Sequence, residues 1–172
     1  MKTAGLEAIL ARRSIRKFTA EPVSDEAVRA LLEAAMAAPS ANNQQPWHFV
    51  VIRERKTLDA IPGVHPHAQM IRQAPLAVLV CADTTVEPTP VGYWIQDCSA
   101  ATENLLVAAQ ALDLGAVWLG VYPREDRVSG VRRLVGLPEH VVPMALVPVG
   151  HPGETKPPAG RYQESRVHRD RW

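Results

Sequence analysis

Cysteine is scarce in this chain. Its two thiols, Cys81 and Cys98, form no CxxC pair and sit at no metal-type spacing, which argues against a disulfide framework and a thiolate metal centre. Cys81 falls in an apolar run and Cys98 in a helical pattern, so both read as small buried hydrophobes. An excess of one charge is also missing. Lys and Arg number 19 against 18 Asp and Glu, so the surface as a whole is no nucleic-acid-binding field and any anion site must be local. Long apolar runs are absent too. Lys2, Glu7 and Arg12 interrupt the opening residues, against a secretory signal, and Gln96, Asp97, Glu103 and Asn104 interrupt the longest helical pattern, against a membrane span. The expectation is a cytoplasmic protein with neither membrane nor nucleic acid among its partners. Finally, GxSxG, HExxH, GxxxxGK[ST] and GxGxxG do not occur, which leaves nucleophilic and metal-assisted hydrolysis without support.

What is there fits one domain with a real core: 172 residues, 47% of them hydrophobic and 22% charged. Leu6, Ile9 and Leu10 mark one face of a first helix. Ser24 caps a second, with Asp25 and Glu26 in its first turn and Val28, Leu31, Leu32, Ala35 and Met36 at helical spacing, and Pro39 is expected to end it. Strands are expected over Trp47 to Ile52, Leu76 to Cys81 and Ala116 to Val121, with a helical turn from Arg53 to Leu58. His65 and His67 read as solvated or hydrogen-bonding histidines rather than metal ligands, since no Cys, Asp or Glu pattern accompanies them. The longest helix is expected from about Gly92 to Leu114, with Gly115 as a left-handed stop. It is apolar around much of its circumference, so it is buried on more than one side, either against its own sheet and a second subunit or inside a monomer. A helix near Glu125 to Val135 ends at Gly136. A last strand from Val141 to Val149 carries Pro143 and Pro148, which suits an edge or bulged position. The interleaving indicates an α+β or α/β class. Residues 1–150 read as the domain and 151–172 as an extended basic arm whose terminal Trp172 is expected to dock on something, a partner subunit included.

Two features of this order call for chemistry. Arg12, Arg13, Arg16 and Lys17 crowd around Ser14 at the expected end of the first helix. Such a cluster either opposes the helix's C-terminal partial charge or binds an anion. The segment Pro39-Ser40-Ala41-Asn42-Asn43-Gln44-Gln45-Pro46-Trp47 is, on its residues alone, a connection rich in turn formers.

Taken in order, the Arg-Arg-Ser-x-Arg start, the Pro-Ser-x-x-Asn-x-Gln-Pro-Trp-His-Phe segment, the Asn104-bearing helix with Gly115 and Trp118, and the Val167-His168 and Trp172 ending resemble the nitroreductase family over nearly the whole chain. The resemblance implies a three-layer α/β/α sandwich with a mostly antiparallel central sheet, a long central helix at a dimer interface, and a homodimer holding FMN between its subunits. It implies that Arg12, Arg13, Ser14 and Arg16 meet the flavin phosphate, ribityl chain and pyrimidine edge, with Lys156 and Arg161 joining from the arm. Pro39, Ser40, Ala41 and Asn43 would reach the flavin of the other subunit, and the Leu119–Gly120 backbone would lie beside the ring's reactive edge. The implied reaction takes hydride from NADH or NADPH through FMN to a nitroaromatic, quinone or related acceptor, in two alternating steps and with no catalytic side chain. A non-catalytic flavin-handling protein of the same fold is the alternative. The segment from His65 to Gln73 offers no counterpart to a further flavin contact that the family places there, and a large helical excursion over the site is missing.

Overall fold

A computed structural model of the chain describes residues 3–86, 91–157 and 159–172; Lys2 and Pro158 lie outside them. Its sheet is antiparallel throughout. β1 (Trp47–Ile52) pairs with β2 (Leu76–Asp83), β2 with β5 (Val141–Gly150), and β5 with two short strands, β3 (Gly115–Ala116) and β4 (Leu119–Gly120). The alternation of strand residues splits the core in two. Leu76, Val78, Val80, Ala145 and Val147 point to one side, where they meet α2 (Asp25–Met36) and α4 (Trp94–Ala111). Ala77, Leu79, Cys81 and Leu146 point to the other, where they meet α3 (Arg55–Val64) and α5 (Glu125–Val135). With both faces covered, β2 and β5 read as near-continuous apolar runs. The result is the expected α/β/α sandwich. Cys81 and Cys98 are free and fully buried within it, and burial pushes both thiols up to about 12.

Local chemistry explains most of the element ends. Ser24 accepts a hydrogen bond from the Ala27 amide at 3.1 Å and so caps α2 as expected. That helix ends at Met36, before Pro39 comes into play. α5 stops at Gly136 in a left-handed conformation, φ 70°. α3 runs as a full helix to Val64, with Pro62 in its last turn, where a helical turn alone was expected.

Three expectations need correction. α4 covers Trp94–Ala111, shorter than the expected span, and the left-handed residue after it is Asp113, φ 56°. Gly115 instead lies in β3, and the reason for glycine is steric: a Cβ there would fall 2.7 Å from Cγ2 of Ile15. Second, the strand expected over residues 116–121 is interrupted at Val117 and Trp118, between β3 and β4. The gap faces Pro148 of β5: Ala116 pairs with Val149 and Leu119 with Leu146, and proline has no N–H to offer between them. Third, β5 is an interior strand despite its two prolines. A bulge opposite Val80 and Cys81 leaves Met144 out of register beside Pro143, as the alternative expectation had it.

α1 (Ala4–Ala11) buries none of its residues. Leu6, Ile9 and Leu10 are 42%, 55% and 50% exposed, and Ile9 lines a groove that α1 shares with α4 and the end of α2. Among the described residues, the arm after Gly150 carries one short helical turn, Glu164–Arg166, and Trp172 is fully exposed, stacked on His168 at 4.2 Å.

Candidate functional site

α1 ends at Ala11 with Arg12 as its cap, and no basic residue lies in its last turn. The cations follow the helix; Arg13 reaches back to its last carbonyls, and the rest of the segment does something else. Ser14 forms a parallel bridge with Ala116, and the Ile15 amide donates to the Ala116 carbonyl at 3.0 Å, so the segment lies along β3 as an extra edge. From the other side the arm closes over it. The Gly153 amide donates to the Lys17 carbonyl at 2.8 Å, the Arg16 amide donates to Oε1 of Glu154 at 2.6 Å, and the Lys156 ammonium donates to the Ser14 carbonyl. The Arg16 amide, with help from Lys156, holds the Glu154 carboxyl below its ordinary value. Ile15 and Phe18 are buried beneath with Ala74. Backbone and apolar side chains thus anchor the strip and leave its polar side chains at the surface.

Those side chains are not alike. Nε of Arg12 pairs with Glu103 of α4 at 3.2 Å. Arg13 donates from Nε to the Pro157 carbonyl at 2.8 Å and from Nη1 to the Leu10 and Arg12 carbonyls, so it braces the segment and has Nη2 left over. The guanidinium groups of Arg16 and Arg161 have no hydrogen-bond partner among the described residues. Arg12, Arg13 and Arg161 line one cavity of about 430 Å³ beside Ile9, Leu10 and Tyr162. Lys156 lines a neighbouring one of about 250 Å³ with Arg13 and Glu154.

Pro39, Ser40 and Ala41 line a different cavity, of about 310 Å³, with Tyr93, Gln96 and Asp97 of the α4 end. The loop is held open by an unusual backbone: Asn42, Asn43 and Gln45 all have φ between 51° and 55°. Asparagine tolerates that region better than most residues, and clusters of such residues mark functional loops. Oγ of Ser40 accepts the Gln45 amide at 3.0 Å, Oδ1 of Asn43 accepts Nε2 of Gln45 at 2.8 Å, and Oδ1 of Asp97 accepts the Ala41 amide at 3.0 Å.

Leu119 and Gly120 form β4, on the edge that also carries Ser14 and Ala116. A Cβ built on Gly120 would find only the Tyr122 carbonyl, at 4.0 Å, so this backbone is open to close approach from outside. The Gly120 carbonyl points inward, where His65 receives no solvent: Nε2 lies 3.0 Å from it, and Nη1 of Arg127 donates to it at 2.8 Å. Burial pushes the imidazole of His65 below the ordinary histidine value, and the charge of Arg127 adds to the effect. His65 is therefore the hydrogen-bonding histidine of the pair, while His67 is exposed.

Three of the four expected segments, residues 12–16, 119–120 and the arm, thus gather along one sheet edge within a single chain. The loop of Pro39 to Asn43 lines a separate cavity. Sequence reasoning missed the groups that hold these segments: Glu103, Glu154, Asp97, Arg127 and the role of His65. Asp97 left a trace, an acid three residues after Trp94 and four before Ala101 on the buried face of α4.

The profile of the nitroreductase family matches residues 9–65 and 62–151. The chain belongs to this family. A protein of Methanothermobacter thermautotrophicus that carries the provisional name NADH dehydrogenase/NAD(P)H nitroreductase is 49% identical over 167 residues, 97% of this chain and 87% of the relative. A crystal structure from Bacteroides thetaiotaomicron, with the same provisional name, superimposes with a TM-score of 0.95 at 38% identity and covers both chains in full. A nitroreductase of Desulfovibrio desulfuricans, so named provisionally and solved in complex with FMN, superimposes with a TM-score of 0.86 at 34% identity, over 100% of this chain and 99% of its own. Among the described residues, no helix is long and apolar enough to cross a membrane and no cluster of His, Cys, Asp or Glu could hold a metal ion.

Proposed function

We propose that this nitroreductase-family protein is an FMN-dependent oxidoreductase that passes hydride from NADH or NADPH to a nitroaromatic, quinone or related small acceptor by alternating half-reactions. The observation that carries the reading is the shared edge: a strip of cations, an open glycine backbone and an arm bearing Arg161 run side by side on β3, β4 and the end of β5. Relatives with this fold are named NAD(P)H nitroreductases, and one was solved with FMN.

The residues present suit that cofactor. Arg12 and Arg161 offer planar guanidinium forks to a phosphate from one cavity, with Nη2 of Arg13 beside them. Ser14 supplies a hydroxyl between them and Arg16, and Lys156 keeps donor capacity beyond its bonds to the Ser14 carbonyl and Glu154. Gly120 lets the backbone, Leu119 included, come close to a flat ring. FMN, when bound, supplies the two-electron chemistry itself, which explains why no acid–base pair is required. The protein's part is to hold donors where charge develops, and the unpartnered guanidinium of Arg16 is the group assigned to the pyrimidine edge.

The loop bearing Pro39, Ser40, Ala41 and Asn43 then serves the neighbouring subunit's site, because it lines a cavity apart from the cation strip. The exposed apolar face of α1 and α4, with its groove of about 590 Å³ between Ala4, Ile9, Ala34, Val107 and Ala108, supplies the homodimer surface.

The test uses purified protein under anaerobic conditions. Bound flavin absorbance that bleaches with NADH or NADPH and returns with a quinone or nitroaromatic is the expected result. Bound FMN that stays oxidised with both donors favours flavin handling without catalysis, and no uptake of FMN after reconstitution removes both readings.

A further inference from the structure

We infer that His65 and Arg127 are positioning residues that fix the Gly120 backbone from behind, so that its open face meets the flavin in one orientation; this rests on the reading that Gly120 borders the FMN ring. Both donors come from the layer on the far side of the sheet. His65 follows α3 directly, its amide held by the Ile61 carbonyl at 2.9 Å. Arg127 stands in the first turn of α5. The two helices pack closely enough to bring both to one oxygen because Gly130 of α5 lies against Val64: a Cβ there would be 2.8 Å from Cβ of Val64.

The hydrogen count fixes the chemistry of the pair. Nε2 of His65 and Nη1 of Arg127 are 3.5 Å apart and face the same carbonyl, which can only accept. Nε2 therefore carries the hydrogen and the neutral ring leaves Nδ1 bare. Nδ1 of His65 and Nε of Arg127 are buried with no partner among the described residues. Unsatisfied buried polar atoms are rare and costly, and this layer is otherwise built from Leu58, Ile61, Val117, Val121 and Val131. An apolar side chain would fill the space without that cost.

What the pair gains is definition at the least restricted residue of the edge. Glycine has more backbone freedom than any other residue, and among the described residues a Cβ on Gly120 would meet nothing nearer than 4.0 Å. Behind it, two donors hold the carbonyl. Just after it, the Val121 and Tyr122 amides both donate to the Met144 carbonyl at 3.1 Å. The peptide that joins Gly120 to Val121 is thus tied at both ends, while the side that a ring would approach stays bare. A site whose contacts are backbone atoms needs such support to hold them within a fraction of an ångström.

The deciding comparison sets His65→Phe, which keeps a ring and loses the donor, against His65→Gln, which returns an N–H near the same place without titrating. Amide exchange at Val121 and Tyr122 in the flavin-free dimer, the FMN dissociation constant and the midpoint potential of bound FMN are measured for each. In His65→Phe, exchange speeds up and FMN binding weakens, each by roughly tenfold, the size expected for one lost hydrogen bond, and the potential falls. In His65→Gln all three return toward the parent. Arg127→Met gives the same readout where His65→Phe fails to fold. Parental exchange and potential in a folded His65→Phe or Arg127→Met protein overturn the inference, as does equal impairment in the Phe and Gln variants. Parent protein that takes up no FMN overturns the functional reading instead, and exchange in the flavin-free protein still decides whether the clamp exists.

Discussion

The layer of α3 and α5 and the face of α1 and α4 use the same apolar residue types and treat them in opposite ways. Against the sheet, Leu58, Ile61 and Val131 are buried, and even the polar pair of His65 and Arg127 is turned inward to a carbonyl. On the other side α1 buries nothing, Ile9 is more than half exposed, and the guanidinium groups of Arg16 and Arg161 have no partner among the described residues. The first region is finished within one chain. The second leaves apolar surface and charges exposed, which the proposed dimer and FMN would cover. The contrast explains how a fold of this size keeps a stable scaffold while leaving the site's surface incomplete.

The strongest way to break the contrast is to charge the open face. Ile9→Asp puts a carboxylate where the partner is proposed to pack, and an unpaired charge in such a place costs enough to lower FMN affinity about a hundredfold or more. The expected protein is a folded monomer without flavin, seen by sedimentation and absorbance; a dimer that retains FMN would falsify the assignment of this face. Next in size is Arg12→Ala. Loss of a hydrogen bond to a charged group, ~1.5–3 kcal/mol, should weaken FMN binding roughly ten- to a hundredfold by fluorescence titration, with a smaller change in melting temperature. Equal affinity in parent and variant would remove Arg12 from the phosphate site.

A matched pair of glycines separates the two regions more finely. Gly130→Ala overpacks the junction of α3 and α5 and is expected to cost about 1–3 kcal/mol in urea unfolding. Gly115→Ala meets Ile15 and displaces the cation strip, so a similar loss of stability comes with weaker FMN binding. If Gly115→Ala leaves FMN affinity at the parent value, the strip is not the ligand's anchor.

The smallest effect is a pH dependence confined to the closed layer. His65 is held neutral by burial and by the charge of Arg127, with His67 adding to it, so its folded value lies below the ordinary 6.5. Below 6.5 the unfolded chain takes up a proton that the folded chain refuses, and stability falls as pH drops toward the folded value. Above 6.5 this contribution is fully present. His65→Gln should flatten that part of the curve in chemical denaturation between neutral and mildly acidic pH; an unchanged slope would show that His65 is not its source.

The elements of the sandwich were legible in the sequence because their signals are local, while its layering was implied by the family resemblance. Ser24 caps, Gly136 stops, and Leu76 to Cys81 is apolar on both faces of a covered strand. The family motifs also marked the strip, the Asn-rich loop and β4. What local patterns could not carry was the geometry between distant residues. Gly115 reads as a helix stop until Ile15 is seen against it, and two prolines in β5 read as an edge or a bulge until the bulge and the gap opposite Pro148 are seen. His65 looked like a loop histidine because the carbonyl it serves lies 55 residues away.

The ties on the cation strip have a further consequence, in time rather than in space. Arg16 meets Glu154 across 138 residues and Ser14 meets Lys156 across 142, so one end of the chain is closed over by the other. A ribosome that has reached Gly150 has made every strand of the sheet but neither Glu154 nor Lys156. Closing so long a loop comes late on any folding route. The arm's closure over the edge proposed to bind FMN therefore comes after the layers that support it.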